Sequence, residues 1–345
     1  MNAAARSSTL AVSLRQRHVC DSVEELLEGA TDRVPFAASD SKSGSHFERL
    51  QLNGRPHIVK YVHVDDDFTM RVFGDLGPRP LLVWESGLMD IAPDLIEHGT
   101  VGVARGVGRN GWGAAILMRD LSDAMVPEGD ESVPMEHHLR FIDHLAGMSA
   151  RTWDWHDDIG LMPYQTRWQA FGNGMMESER ELGFPTIVPE IAAQGWERFV
   201  DVAPPSVVAL ISELRADATP LIDALKTTPS TFLHGDWKFG NLGALADGRT
   251  ALIDWSYPGE GPIAHDLAWY LALNAARLPM SKEDTIEVLR AALVRHGIDV
   301  GDWWPRQVAL CLLGALVQFG WEKALGGHEE LAWWSERALE AARLL

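Results

Sequence analysis

The sequence predicts an α+β protein with its strands at the front and its helices at the back. Short strand-like runs cluster before residue 120, and apolar residues recur at helical spacing through most of the chain beyond it. The turn chemistry between the early runs agrees: an Asn-Gly pair and Gly-rich connections separate them.

Residues 1–20 read as a loose tail or an added arm. Asp21 with Glu24 forms a capping-box start, and Val23–Leu27 then reads as a short helix. The stretch 38–45 is polar and rich in turn formers. Two strands are expected at His46–Leu52 and Pro56–Val64, and Asn53-Gly54 between them is the strongest short hairpin signal. A helical stretch covers Leu81–Leu95, and further strands are expected at Val101–Arg105 and Ala114–Met118. The character changes near Asp120, which divides the chain into 21–120 and 121–345. In Met135–Ala150 the residues Leu139, Ile142, Leu145 and Met148 fall at helical spacing, and Val207–Leu225 is similarly periodic. Helical pattern then fills Ala264–Ala276, Lys282–His296, Trp304–Ala324 and Glu329–Leu344. Residues 151–200 mix Trp, Met, Gly, Pro and acidic residues and give no clear element.

With 345 residues the chain can form two domains or one bilobal domain. Its formal charge of −19 argues against nucleic-acid binding, which relies on basic patches facing phosphate. That charge suits a cationic small substrate, and equally a solvated acidic surface. Cys20 and Cys311 lie far apart and give neither a disulfide framework nor paired metal-ligand spacing, which fits a reducing cytoplasm. The apolar stretch Thr9–Leu14 is too short for a secretory h-region and is followed by basic residues. The longest apolar run, Val308–Phe319, is too short to span a bilayer and contains Gln318. A cytoplasmic protein without a membrane span is expected, and the oligomeric state is left open.

The informative segment runs from Thr231 to Leu242, with Ala251–Trp255 downstream. Asp236 and Asn241 stand five residues apart in a short loop after an apolar run. From Leu242 the chain reaches Asp247-Gly248, a hairpin turn signal, and returns through Thr250–Ile253. Such a hairpin brings its ends together, so Asp254 lands beside Asn241. An amide oxygen next to a carboxylate makes a hard-oxygen site of the kind magnesium prefers. Asp236 is then free to act on a hydroxyl proton.

His234-Gly235-Asp236, then Asn241, then Asp254, followed by Gly261-Pro262-Ile263-Ala264-His265-Asp266-Leu267-Ala268, resembles the catalytic core of the aminoglycoside phosphotransferases and their relatives. Choline, fructosamine, homoserine and methylthioribose kinases are among those relatives. The resemblance is strongest over 225–275, weaker over 45–120 and weakest over 150–225. It implies a protein-kinase-like bilobal fold, with a nucleotide-binding lobe at 21–120 and a catalytic and substrate-binding lobe at 121–345. It implies ATP and magnesium as cofactors, and transfer of the γ-phosphoryl group to a hydroxyl of a small molecule. An aminoglycoside-like antibiotic, an amino sugar or a related metabolite would be the acceptor. By position, Asp236 would be the catalytic base, Asn241 and Asp254 the magnesium ligands, and Lys238 a cation steadying the transferring group. His234 and Asp266 would hold the loop rather than do acid–base work.

In Val59-Lys60-Tyr61, Lys60 resembles the strand lysine that holds the α- and β-phosphates; an exposed strand lysine is the alternative. Its carboxylate partner would be Glu85, or else Glu97, although either could be a surface glutamate. The chain departs from the kinase pattern before His46, where no G-x-G-x-x-G occurs. Asp40 to Ser45, with Lys42, Ser43 and Gly44, must then cover the phosphates. The hinge is expected at Met118–Leu121, where backbone groups would read adenine by analogy.

His137, His138, His144 and His156 lack same-face ligand spacing with a third partner, so zinc is not expected of them. Trp153, Trp155, Trp168 and Trp196 are expected to pack in the core or to wall a substrate. Glu177, Glu179, Glu181 and Glu260 could face a cationic substrate or simply solvent. Two other readings compete. A protein kinase would need a glycine-rich loop and an Ala-Pro-Glu segment after Asp254, and neither is found. A non-catalytic nucleotide-binding regulatory module would have no use for Asp236, Asn241 and Asp254 together.

Overall fold

The computed structural model describes residues 16–37, 43–169, 171–183 and 187–345. Its first elements are the one-turn helix α1 (Val23–Leu26) and strand β1 (Thr31–Phe36). Ser22 caps α1 by accepting from the Glu25 amide, and Glu25 accepts in return from the Asp21 amide at 2.9 Å. The capping box is therefore Ser22 with Glu25, one residue on from the expected Asp21 with Glu24. β2 (His46–Leu52) and β3 (Arg55–Val62) form a hairpin. Its turn residues Asn53 and Gly54 take φ of 52° and 70°, the left-handed pair whose twist matches the flanking strands. Then come α2 (Phe68–Val72), α3 (Arg79–Ser86), β4 (Ile96–Glu97), β5 (Thr100–Val107) and β6 (Gly113–Arg119). The helix expected over 81–95 is shorter than its pattern, because Gly87 turns left-handed and ends α3.

Five strands form one antiparallel sheet in the order β1-β2-β3-β6-β5. The register sets Phe47, Lys60, Ile116 and Val103 opposite one another, so they share a face. The other face, with Leu50, Val59, Ala104 and Leu117, is covered by Leu26 and Leu27. β1 is almost wholly exposed, so it shows no alternation, which is why its sequence gives no strand signal. Residues 16–20, expected as tail, run beside β5. The Cys20 amide donates to the Val103 carbonyl at 2.9 Å, and the Cys20 carbonyl accepts from Arg105 at 3.0 Å. The Trp84 indole donates to the His18 carbonyl at 2.8 Å.

The back half begins with α4 (Met135–Arg151), α5 (Tyr164–Gln169), α6 (Asn173–Glu181) and α7 (Ile187–Val202). The periodic stretch 207–225 is two helices, α8 (Pro205–Ala216) and α9 (Thr219–Leu225), broken where Asp217 accepts from the Thr219 amide. β7 (Thr231–Leu233), β8 (Leu242–Ala244), β9 (Thr250–Leu252) and β10 (Gly259–Gly261) frame the segment that holds Asp236, Asn241 and Asp254. α10 (Ala264–Leu273), α11 (Lys282–Arg295), α12 (Trp303–Leu325) and α13 (His328–Ala341) finish the chain. α12 is long and apolar enough to cross a membrane by length and composition. Here it is the axis of the helical half, buried without interruption from Leu310 to Phe319 against α7, α10 and α13.

Besides the chain itself, several contacts join the halves, Lys60 with Asp254 among them. β4 pairs in parallel with β9, Ile96 opposite Thr250. Across the cleft, Arg71 on α2 meets Glu179 on α6. Its Nε donates to Oε1 at 2.9 Å and its Nη2 to Oε2 at 2.8 Å, while Nη1 donates to the Val64 carbonyl at 2.7 Å. Both side chains are largely buried, which corrects the reading of Glu179 as a face for a cationic acceptor. Glu177 and Glu181 remain exposed.

Candidate active site

β7 runs directly into the loop His234-Gly235-Asp236. Gly235 takes φ 81°, and a Cβ there would meet the Tyr257 carbonyl oxygen at 2.0 Å, so only glycine fits. Asp266, in the first turn of α10, accepts from the His234 amide at 3.1 Å and the Gly235 amide at 3.0 Å. His234 Nδ1 accepts from the Asp236 amide at 3.3 Å, which makes Nε2 the protonated nitrogen that donates to the Ile253 carbonyl at 3.1 Å. Burial pushes the His234 pKa below the usual imidazole range, in keeping with this neutral ring. Arg167 is buried behind the loop, where its Nη2 donates to the Tyr257 carbonyl at 3.2 Å, and burial draws its pKa down to about 10.

Asp236 is only 2% exposed, and both of its oxygens are held. Oδ1 accepts from the Trp269 indole at 2.8 Å. Oδ2 accepts from Asn241 Nδ2 at 2.7 Å and lies 3.2 Å from Lys238 Nζ. Asn241 Nδ2 also donates to the Asp236 carbonyl at 2.9 Å, which leaves Asn241 Oδ1 as the acceptor of that side chain. The β8–β9 hairpin sets Leu242 opposite Leu252, and the Ile253 amide donates to the Asn241 carbonyl at 3.0 Å. Asp254 thus comes immediately beside Asn241. Its Oδ1 accepts from Lys60 Nζ at 3.0 Å and Ser256 Oγ at 2.5 Å. Burial alone would raise the Asp254 pKa. The charge of Lys60, the Ser256 and Lys60 hydrogen bonds and the charge of Lys238 outweigh it and hold the carboxyl far below the usual range. An amide oxygen and a permanently ionised carboxylate side by side fit a hard divalent cation.

Lys60 is buried, and its partner is Asp254 rather than either expected glutamate. Glu85 lies in the last turn of α3, where its carboxylate accepts from Arg105 at 2.6 Å and its carbonyl accepts from the Arg17 amide. Its place on the helix faces Arg105 of β5 at the flank of the sheet rather than the cleft. Glu97, on β4, accepts from Arg119 and from Arg249 at 2.8 Å, and so clamps the crossing between the halves.

Of the segment expected to cover the phosphates, Ser43–Ser45 are tied to α2. Ser43 lies 3.0 Å from Ser45 Oγ, which donates to Asp67 Oδ2 at 2.6 Å, and the Phe68 amide donates to the Ser43 carbonyl. Gly44 between them takes φ 90°. Asp67 Oδ1 caps α2 through the Thr69 and Met70 amides. Lys42 lies outside the described residues. Met118, opposite Ile58, shares the sheet face of Lys60, whereas the Leu121 carbonyl is occupied by the Ala124 amide.

The four histidines are dispersed: His138 meets Tyr270, His144 meets Thr250, His156 meets Glu260, and His137 stacks near Phe141. Glu260 is likewise engaged, by His156, Ser230 and the Asp157 amide. Trp153 packs on Trp303, Trp155 on Phe232, Trp168 on His265 and Trp196 on Phe199. The buried aromatic cluster next to Asp236 is made of other residues. Trp269 packs against Phe319 at 4.7 Å and Tyr257 at 5.9 Å, and Tyr257 against Phe73 at 4.6 Å. Trp269 is the residue that motif reading missed. It lies three places after Asp266, hence on the same helical face, which is the signal that could have found it.

Residues 186–303 match the model of a phosphotransferase enzyme family, APH, a span that contains Asp236, Asn241 and Asp254. Comparison with curated proteins gives no match. Among solved structures the chain is similar to choline kinase LicA from Streptococcus pneumoniae, at a TM-score of 0.52 and 12% identity over 94% of this chain and 98% of that one. It is similar also to the amicoumacin kinase hAmiN in complex with AMP-PNP, Ca2+ and Ami, at a TM-score of 0.52 and 11% identity over 99% and 96%. At these identities the likeness is one of fold, a protein-kinase-like arrangement of a small antiparallel sheet against a larger helical lobe.

Proposed function

We propose that this chain, whose residues 186–303 match a phosphotransferase family model, moves the γ-phosphoryl group of ATP to a hydroxyl of a small acceptor. The observation that carries the reading is the junction of the two halves at Lys60 and Asp254, 3.0 Å apart, with Asn241 and Asp236 hydrogen-bonded alongside. Asn241 Oδ1 and the ionised Asp254 would hold magnesium, which supplies neutralisation of phosphate charge. Lys60 would hold the non-transferred phosphates from the sheet side, and Lys238 would meet charge on the transferring group. Asp236 Oδ1 keeps one lone pair besides the one given to Trp269, and that lone pair can take the acceptor hydroxyl proton. Catalysis of this kind rests mainly on positioning, and a buried carboxylate held at both oxygens suits it.

Phe73, Tyr257 and Trp269 lie behind Asp236 as buried core aromatics and fix its position rather than face the acceptor. An aminoglycoside-like antibiotic, an amino sugar or a related metabolite is the acceptor class proposed. A cationic acceptor also agrees with the net charge of −19 and with Glu177 and Glu181. Glu179 contributes nothing to it, being paired with Arg71.

The test is incubation with ATP, magnesium and a panel of aminoglycosides, amino sugars and amino alcohols, with mass spectrometry of the acceptors. A phosphorylated acceptor is expected with the wild type and not with Asp236→Ala, which still binds nucleotide. Nucleotide binding without transfer to any acceptor would leave only the regulatory-module reading. For the best acceptor, kcat/KM falls as salt rises if the acceptor is cationic; a neutral preference with no salt effect removes the charge argument.

A further inference from the structure

Phosphoryl transfer makes no use of the outer face of the sheet, yet that face holds a cluster of metal-ligating side chains. Beside the arm 16–20 and α1, an open groove of about 760 Å3 is lined by His18, Cys20, Glu25, Arg55, Leu117 and Arg119 among others. At its lip His18, Cys20 and Glu25 each offer a ligand atom, all within 4.8 Å of one another. We propose that these three residues form a binding site for a divalent cation of the zinc class, separate from the oxygen ligands at Asn241 and Asp254.

The donor set selects the metal. A thiolate, an imidazole and a carboxylate together are zinc ligands, whereas magnesium takes oxygen alone. The spacing also fits. His18 Nε2 lies 3.2 Å from Glu25 Oε1, and two ligands at about 2.1 Å on a tetrahedral ion stand about 3.4 Å apart.

The backbone that carries the three side chains is placed before any cation arrives. The backbone of Cys20 is hydrogen-bonded on both sides to β5. The His18 carbonyl accepts from the Trp84 indole. Glu25 Oε2 is held by the Asp21 amide, so Oε1 is the oxygen presented to His18. Cys20 supplies a thiol, which binds zinc-class metals as the thiolate. Binding therefore releases the thiol proton to solvent as the sulfur–metal bond forms. Three protein ligands leave the fourth tetrahedral position open on the groove, for water or for a donor group of a groove ligand. Bound in this way, the ion staples the arm to the nucleotide lobe.

The full-length chain, stripped with a chelator and titrated with Co2+, tests this. One equivalent is expected to bind with a sulfur-to-cobalt charge-transfer band, displaced by Zn2+. Cys20→Ser abolishes the band, while Cys311→Ala and Asp254→Ala keep it. Cys311 is buried in α12 and Asp254 belongs to the other site. In competition with a chromophoric chelator, His18→Gln and Glu25→Gln each weaken Zn2+ binding by at least about tenfold, and wild-type affinity rises with pH. Circular dichroism checks that each variant is folded. Absence of the band, its survival in Cys20→Ser, or unchanged affinity in both His18→Gln and Glu25→Gln would show an ordinary surface ion pair beside a thiol and overturn the proposal.

Discussion

Replacing Trp269 by Phe removes one hydrogen bond from the carboxylate at the centre of the site and leaves most of the ring packing against Phe319 and Tyr257. The lost contact is an indole N–H donating at 2.8 Å to Asp236 Oδ1 in a place closed to water. A hydrogen bond to a charged group contributes about 1.5–3 kcal/mol, and each 1.36 kcal/mol on a barrier is about tenfold in rate. The full term in the transition state would lower kcat by about 10- to 100-fold. Neither Lys60 nor Asp254 touches Trp269, so KM for ATP is expected to hold. A general loosening of the helical half could also slow the enzyme, and a double-mutant cycle separates the two causes. If Trp269 acts through Asp236, then Trp269→Phe in an Asp236→Ala background leaves the residual rate unchanged. Steady-state and single-turnover kinetics of the four proteins read this directly. An equal fall in both backgrounds, or an unchanged kcat in the single variant, would refute the argument.

Three other outcomes are expected from the contacts around the cleft and the core. Lys60→Met keeps the apolar stem but deletes the charge on Asp254, so KM for ATP rises and kcat falls; wild-type values of both would make Lys60 a structural residue only. Arg71→Met leaves the Glu179 carboxylate buried and unpaired, at a cost of about 3–5 kcal/mol, read as a lower urea midpoint that Glu179→Gln in the same chain partly restores. Burial pushes His138, hydrogen-bonded to Tyr270, down to about 4. Between its unfolded value of about 6.5 and 4, the unfolded chain takes up a proton that the folded protein refuses, so stability present above pH 6.5 is lost as pH falls. The urea midpoint is expected to fall less steeply over that window in His138→Gln.

Local chemistry was readable where sequence neighbours do the work. The Asn53-Gly54 hairpin, the loop from His234 to Asn241 and its return to Asp254 are each set by turns that bring near residues together. The back helices carry periodicity strong enough to give their ends within a few residues. Long-range partners were not readable. Nothing near Lys60 says that its counter-ion is Asp254, because that pair spans 194 positions and depends on how two halves meet. Glu85 looked suitable by helix position, but its partner is Arg105 on β5, which nothing near Glu85 in sequence announces. Glu179 looked like a solvated acid because its partner lies 108 positions earlier. In residues 151–200 short helices are interrupted by loops, so no single period persists long enough to be seen.

The Arg71–Glu179 pair has a mechanical meaning for the cleft it crosses. A rigid body pinned at one point turns freely in three ways; pinned at two, it keeps a single rotation about the line through the pins. One pin is the chain crossing near Arg119, clamped by Glu97 to Arg249, and the other is this bidentate contact between α2 and α6. While both hold, the sheet cannot gape like a jaw. Roll about the axis between them is the motion these two pins leave, and it carries the tethered serines 43 and 45 along arcs over the cleft, with Lys60 held back by its own pair with Asp254.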